Sequence, residues 1–365
     1  MRLFVIVTGM AHALALLAAG LGGAWVWLSL FYMTGLVVLI DRIVAHGARN
    51  ADPEAEFPAA TPLLVLLGLS HFALLGLAIW AVGGPSGLSA AQRLAMAVAA
   101  GLVFGQISHP AAHELIHRQA RGLRLVGKWV YTSLLVGHHA SAHLLVHHVH
   151  VASRADPNSA PRGQSFYRFA ARAWRGAFLA GLAAETRRRA GRGLPAWRHP
   201  FALYLGGGAL TLGMAFALAG AGGVAALLAM AIHAQLQILL SDYVQHYGLR
   251  RRELADGRPE PVGPQHSWNA PQMFSSALML NAPRHSDHHV TPSRAYPALQ
   301  LDPRTMPCLP RSLPVMAALA LLPRLWFRLM DPCCEAWERA GHGAGREPGS
   351  APPRGDPQTA PETAQ

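Results

Sequence analysis

Six stretches of this chain, at about residues 3–21, 23–40, 61–83, 90–108, 201–219 and 222–241, are almost free of charge. Each approaches the ~20 apolar residues that a helix needs to cross the core of a bilayer. One such stretch alone reads equally well as a buried helix of a soluble protein. Six in one chain do not, particularly when charged residues make up only 14% of it, against ~25% in ordinary soluble domains. The expected fold class is therefore all-α, a polytopic membrane protein with six transmembrane helices.

The stretches pair up. The Gly-rich links AAGLGGAW, VGGPSGLS and LAGAGGVA join the first to the second, the third to the fourth and the fifth to the sixth, as tight turns that glycine tolerates. Three helical hairpins follow, with every long connection on one side. Fourteen Lys/Arg lie in 109–200 and thirteen in 241–365, whereas only Arg93 lies near a short turn. Positive charge marks the cytoplasmic side, so both termini and the long loops are expected there. The net charge of +12 serves this topology and contact with anionic lipid; no motif points to nucleic acid. Residues 1–22 match a cleaved signal peptide only loosely, because a second apolar segment follows at once. The three cysteines, Cys308, Cys333 and Cys334, form no CxxC pair, so neither a fused rubredoxin-like module nor a disulfide framework is expected. Residues 1–340 read as a single membrane-embedded domain, and 341–365, rich in Gly and Pro, as a disordered tail.

Twenty histidines are present, and they cluster at or just past the ends of the expected spans. AAHELIHR carries His113 and His117, four apart and so on one helical face. GHHASAHLLVHHVH carries His138, His139, His143, His147, His148 and His150. His246 closes the sixth stretch, and RHSDHHV carries His285, His288 and His289. HExxH by itself is compatible with a zinc protease, whose site takes three protein ligands and one open position. That would leave six or more clustered histidines without a role. Imidazole suits Zn, Fe, Cu and Ni alike, and two octahedral-leaning metals with four or five ligands each would use nine.

AAHELIHR, AHLLVHHVHVASRADPNSA followed by GQSFYRF, DYVQHYGLRRRELADGRPEPVGPQHSWN, RHSDHHVTPSRAYPAL and LWFRLMDPCCEAW occur in this order. Together they resemble the integral-membrane alkane 1-monooxygenases (alkane ω-hydroxylases), within the membrane fatty-acid desaturase/hydroxylase superfamily, over about residues 28–337. The resemblance implies a non-haem di-iron centre, with O2 as co-substrate, held by His113, His117, His143, His147, His148, His246, His285, His288 and His289. It implies hydroxylation of a terminal C–H bond of an apolar chain. Electrons would come from an external rubredoxin or ferredoxin with its NAD(P)H-dependent reductase, docked on Arg187–Arg189 or Arg250–Arg252. Catalytic residues beyond the metal centre are not assigned.

His138, Glu114, Asp156, Asp242, Asp287 and Gln245 are expected around the ligands; His109, His139, His150 and His266 are expected either there or in structural roles. His12, His46, His71, His199, His233 and His342 read as ordinary residues. Trp25, Trp27, Phe31, Tyr32, Met33 and Phe104 are the candidate lining of a substrate channel opening to the bilayer. Three positions depart from the family pattern: Ala142 and Gln245 stand where an acidic residue is usual, and Val146 replaces a usual Gly. These departures leave open a methyl-aromatic, terpenoid or fatty-acyl hydroxylase, or a desaturase. A zinc membrane protease is the remote alternative.

Overall fold

The computed structural model describes residues 1–44 and 49–342. His46 and the expected tail from residue 343 onward lie outside the described residues.

The described residues are helical and turn-linked. They contain no strand, only the isolated bridges Glu253–Pro259 and Asn269–Cys308. Five helices are long and apolar enough to cross a membrane: α1 (Arg2–Leu21), α2 (Ala24–Ile43), α3 (Ala60–Gly83), α4 (Ala90–His117) and the long α8 (Pro200–His246). Between them lie α5 (Arg121–Ser133), α6 (residues 139–150) and α7 (Phe166–Ala190). After α8 come α9 (Met273–Leu278), α10 (His285–Val290), α11 (Leu313–Ala320) and α12 (Pro323–Trp337).

The sequence predicts two stretches, 201–219 and 222–241, where α8 runs. The helix breaks at Ala219 (φ −150°) and Gly220 (φ 58°). Past the break, a Cβ placed on Gly223 would collide with the Ala215 carbonyl oxygen. Residues eight apart in an unbroken helix stand about 12 Å apart along its axis, so the chain turns back on itself here. The other short turns use the same device: Gly22 and Gly23 hold positive φ between α1 and α2.

Small residues let the spans approach. A Cβ on Gly83 of α3 would collide with the Gly222 carbonyl oxygen of α8, so these helices cross backbone to backbone. The main apolar core runs through α1, α3, α4 and the second half of α8. A second core, around Tyr243, Tyr247, Trp268, Trp326 and Met330, packs α12 against the end of α8. It holds the start of the loop that follows His246, where the Trp268 indole N–H donates to the Tyr247 carbonyl at 2.8 Å.

Candidate metal centre

Each histidine motif is placed by a local backbone rule. His113 and His117 end α4, one turn apart on one face. Glu114 accepts from Arg118 Nη2 at 3.0 Å and lines the same small cavity as His113. In α6, residues His143–His147 form a π-helical turn. Such turns bond i to i+5 and recur at functional sites. The wider turn brings His143 and His148, five apart, onto one side, with their Nε2 atoms 2.9 Å apart. His147 is thereby rotated to the other side. In α10, His285 and His289 share a face with Nε2 atoms 3.1 Å apart, while His288 points elsewhere. His246 is the last residue of α8, with Nε2 3.0 Å from that of His285.

Tertiary packing assembles these pieces into two adjoining groups. One holds His113, His117, His143, His148 and His288; the other holds His147, His246, His285 and His289. Within each group the nitrogens lie within 4.8 Å of one another. The two groups meet through the neighbouring pairs His147/His148 and His288/His289, and the His148 and His289 rings are 4.7 Å apart. All nine histidines picked from the sequence fall in these two groups.

The contacts are those of donors converging on a cation. His143 Nε2 lies 2.7 Å from His113 Nε2, 3.1 Å from His117 Nε2 and 2.9 Å from His148 Nε2. A neutral imidazole carries a single ring proton, so three such contacts at one nitrogen cannot all be hydrogen bonds. His147 Nε2 is buried with no partner at all. For metal–nitrogen bonds of about 2.0–2.1 Å, ligands at a right angle stand about 3.0 Å apart and ligands at the tetrahedral angle about 3.4 Å. Six of the nitrogen pairs within the two groups lie 2.7–3.2 Å apart, near the right-angle spacing, and the rest lie within 4.8 Å. Five imidazoles in one group also exceed a tetrahedral site. The donor set therefore fits two metal ions of more than four-fold coordination and fits poorly with a single tetrahedral zinc.

Burial keeps these rings neutral. His143, His148, His288 and His289 lie well below the ordinary histidine range because burial penalises the imidazolium, and His285 is lowered to about 3 for the same reason. Neutral imidazole is the form that ligates. His147 is the exception. Burial acts to lower it, but the Asp156 carboxylate bonded to its Nδ1 reverses the direction, and the net shift is upward.

The outer ring of contacts is only partly as expected. Asp156 accepts from Ser159 Oγ at 2.6 Å, and Asn158 Nδ2 donates to Asp242 at 2.6 Å. Asp287 accepts from Arg294 and from the Gln300 backbone N–H, bracing α10 rather than a histidine ring. Gln245 accepts from Ser241 Oγ at 2.7 Å and donates to the Ala282 carbonyl at 3.1 Å, three residues before His285. A carboxylate there would lack that donor.

His138 does not sit among the metal-group rings; its ring meets Trp174 and Phe178. Its neighbour His139 does, stacked 5.4 Å from His143. His109 joins His139 at 5.5 Å and bonds Tyr131 Oη at 3.0 Å. His266 pairs with Glu260 at 3.1 Å in the loop beyond α8. Ala142 is buried against Gly181 of α7, where a Cβ on the glycine would stand 3.2 Å from the Ala142 backbone and Cβ.

Sequence reasoning missed Asn269, which lies in no histidine motif. Its Nδ2 donates to Ser286 Oγ and its Oδ1 accepts from the Ser286 N–H, fixing α10 from outside. A lone Asn in a loop carries no periodic signal by which it might have been found.

A cavity of about 30 Å³ touches both groups, with His113, His143, His285 and His288 on its wall. Its residues His109, Pro110, Ser241 and Ala282 also line a cavity of about 220 Å³ between α4, α8 and α11. Leu102, Gln106, Pro314 and Ala318 continue into a more open cavity of about 610 Å³ against α2. Of the expected channel residues, Met33 lines this third cavity. Tyr32 instead bonds the Val7 carbonyl, and Phe104 packs edge-on to His71. Trp25, Trp27 and Phe31 are exposed on the outer face of α2 and line none of the three.

The fatty acid desaturase family profile matches residues 89–319, which include all nine histidines. The chain is 32% identical to alkane 1-monooxygenase 2 of Pseudomonas aeruginosa over 86% of its own length and 85% of the relative's. It is 33% identical to alkane 1-monooxygenase 1 of Alcanivorax borkumensis, covering 86% and 78%. It is also 27% identical to the xylene/toluene monooxygenase hydroxylase component of Pseudomonas putida, covering 87% and 85%. On the order and spacing of its histidine motifs, their convergence into two groups and these similarities, the chain belongs to the alkane 1-monooxygenase family within the fatty acid desaturases.

Proposed function

We propose that this protein is a di-iron monooxygenase that hydroxylates the terminal carbon of alkanes or similar apolar chains. The observation that carries this reading is the small cavity touching both histidine groups and leading, through shared wall residues, to apolar space between the spans. Two irons would be held by the groups of five and four histidines, and would supply the reductive activation of O2. One oxygen atom enters the C–H bond as a hydroxyl; the other leaves as water, with two electrons delivered singly by the carrier and two protons taken from solvent. The chain's own part is to hold the rings neutral and oriented, to exclude water, and to admit an extended chain end-on. About 30 Å³ accommodates little more than O2 or a chain terminus, which favours attack at the end carbon.

Six membrane crossings fit the break at Ala219–Gly220, and the arginine distribution favours histidines and termini on the cytoplasmic side of a bacterial inner membrane. An external electron carrier of the rubredoxin or ferredoxin kind suits a basin of about 630 Å³ lined by Arg118, Arg124, Lys128, Arg188, Arg189 and Arg192, with His117 on its wall. An acidic carrier seated there would deliver electrons next to a ligand.

The test is product analysis. Cells expressing the chain with a donor system are fed octane, hexadecane, p-xylene and a fatty acid. Primary alkanols from the alkanes are expected. Oxidation of ring methyls or acyl chains alone would assign the activity to another branch.

A further inference from the structure

Gln106 lies on the walls of both cavities that lead away from the histidines, at a depth where polar side chains are costly without a partner or a function. Its orientation is fixed by a chain of hydrogen bonds. Gln237 Nε2 donates to the Gly101 carbonyl at 2.8 Å, so Gln237 presents its oxygen to Gln106. Gln106 Nε2 donates to that oxygen at 3.2 Å. The carbonyl end of Gln106 is then left over, and its Oε1 is buried with no hydrogen-bond partner. The close helix approach that permits this is built in: a Cβ on Gly105 would stand 2.5 Å from Gln237 Cδ.

We propose that Gln106 is a hydroxyl-accepting station in the access path. This site binds apolar molecules bearing one hydroxyl in preference to the hydrocarbon of the same length. The spare group is an acceptor, so its ligand must be a donor; neither cavity has a carboxylate on its wall, so an ammonium is disfavoured. Gln106 precedes His113 by seven residues on α4, a rise of about 10 Å. A hydroxyl held at Gln106 therefore leaves a chain of that length reaching the histidines. The alcohol has two sources: a lipid-dissolved alcohol arriving for oxidation at its far end, or the alcohol made at the centre on its way out. The site rests on the hydroxylase reading only for the direction of this path.

The experiment uses the full chain, iron-loaded in phospholipid vesicles, and measures retention of radiolabelled 1-dodecanol and dodecane over protein-free vesicles. We expect the wild type to favour the alcohol about five-fold, the scale of one net hydrogen bond. Gln106→Met should bring the ratio close to one with dodecane retention unchanged, and Gln106→Asn should keep part of the preference. If Gln106→Met does not fold, Gln237→Met, which frees the Gln106 amide to rotate, should lower the ratio in the same way. A ratio unmoved by the substitution, or no preference in the wild type, overturns the proposal. With a donor present, conversion of dodecanol to a diol identifies a substrate. Unconverted dodecanol that slows dodecane oxidation identifies a product on its exit path. An alcohol preference in a protein that oxidises no alkane would leave the station standing and sink the hydroxylase reading instead.

Discussion

His147 and Asp156 form a buried pair, with the imidazole Nδ1–H donating to the carboxylate at 3.0 Å while Nε2 is left bare toward His246 and His289. The bond fixes which nitrogen carries the proton and so which one can ligate. Asp156 is itself held by Ser159 and by the Asn158 N–H.

Replacing Asp156 with Asn should therefore weaken the four-histidine group without removing a ligand. Loss of such an outer partner costs ~10–100-fold in metal affinity or activity. Metal titration of the purified variant checks this; unchanged affinity would show that the pair is a passive salt bridge.

The division into groups of five and four makes a stoichiometric statement. His289→Ala removes one of four ligands and should lower iron from about two per chain to about one; His143→Ala, which leaves four in the larger group, should lose less. Elemental analysis of the two variants, prepared alike, decides this. Equal loss in both would mean that the metals bind as one cooperative unit.

Protonation acts in a defined window. In the unfolded chain these histidines take up a proton near pH 6.5, whereas folded His285 resists until about 3 and His138 until about 4. Between those values the unfolded state binds more protons, so stability is full above pH 6.5 and falls as the pH drops. Metal-free protein in detergent should melt at a lower temperature at pH 5 than at pH 7.5. A midpoint that did not move would contradict neutral, buried rings.

Gln245 donates to the Ala282 carbonyl, and an ionised Glu at this position could not. We expect Gln245→Glu to destabilise the approach to α10 by ~1–3 kcal/mol, the cost of an unpaired buried polar group. Chemical denaturation of both proteins measures it. A gain in stability would show that the bond to the Ala282 carbonyl contributes nothing at this position.

Ala282 lines both the small histidine cavity and the apolar one behind it. A larger side chain, as in Ala282→Leu, should close the link: iron content stays, while oxidation of hexadecane falls far more than that of octane. Parallel loss of both would place the substrate path elsewhere.

Much of this protein was legible in its sequence because the relevant signals are local. Span length and charge depletion depend only on the chain and the bilayer, and three of the five span-length helices begin and end near the apolar runs read from them. The spacing of His113 with His117, and of His285 with His289, fixes shared helical faces before any packing is known. What tertiary structure alone decided was convergence and division. The π-helical turn at His143–His147 sends His147 to a different metal group from His143 and His148, and no α-helical period announces it. Only the packing of α6 on α7 shows that Ala142 meets Gly181, and only the closeness of α4 and α8 leaves one amide oxygen of Gln106 without a partner. These relationships join residues tens to more than a hundred positions apart. They depend on how whole helices seat against one another, which a pattern of near neighbours does not encode.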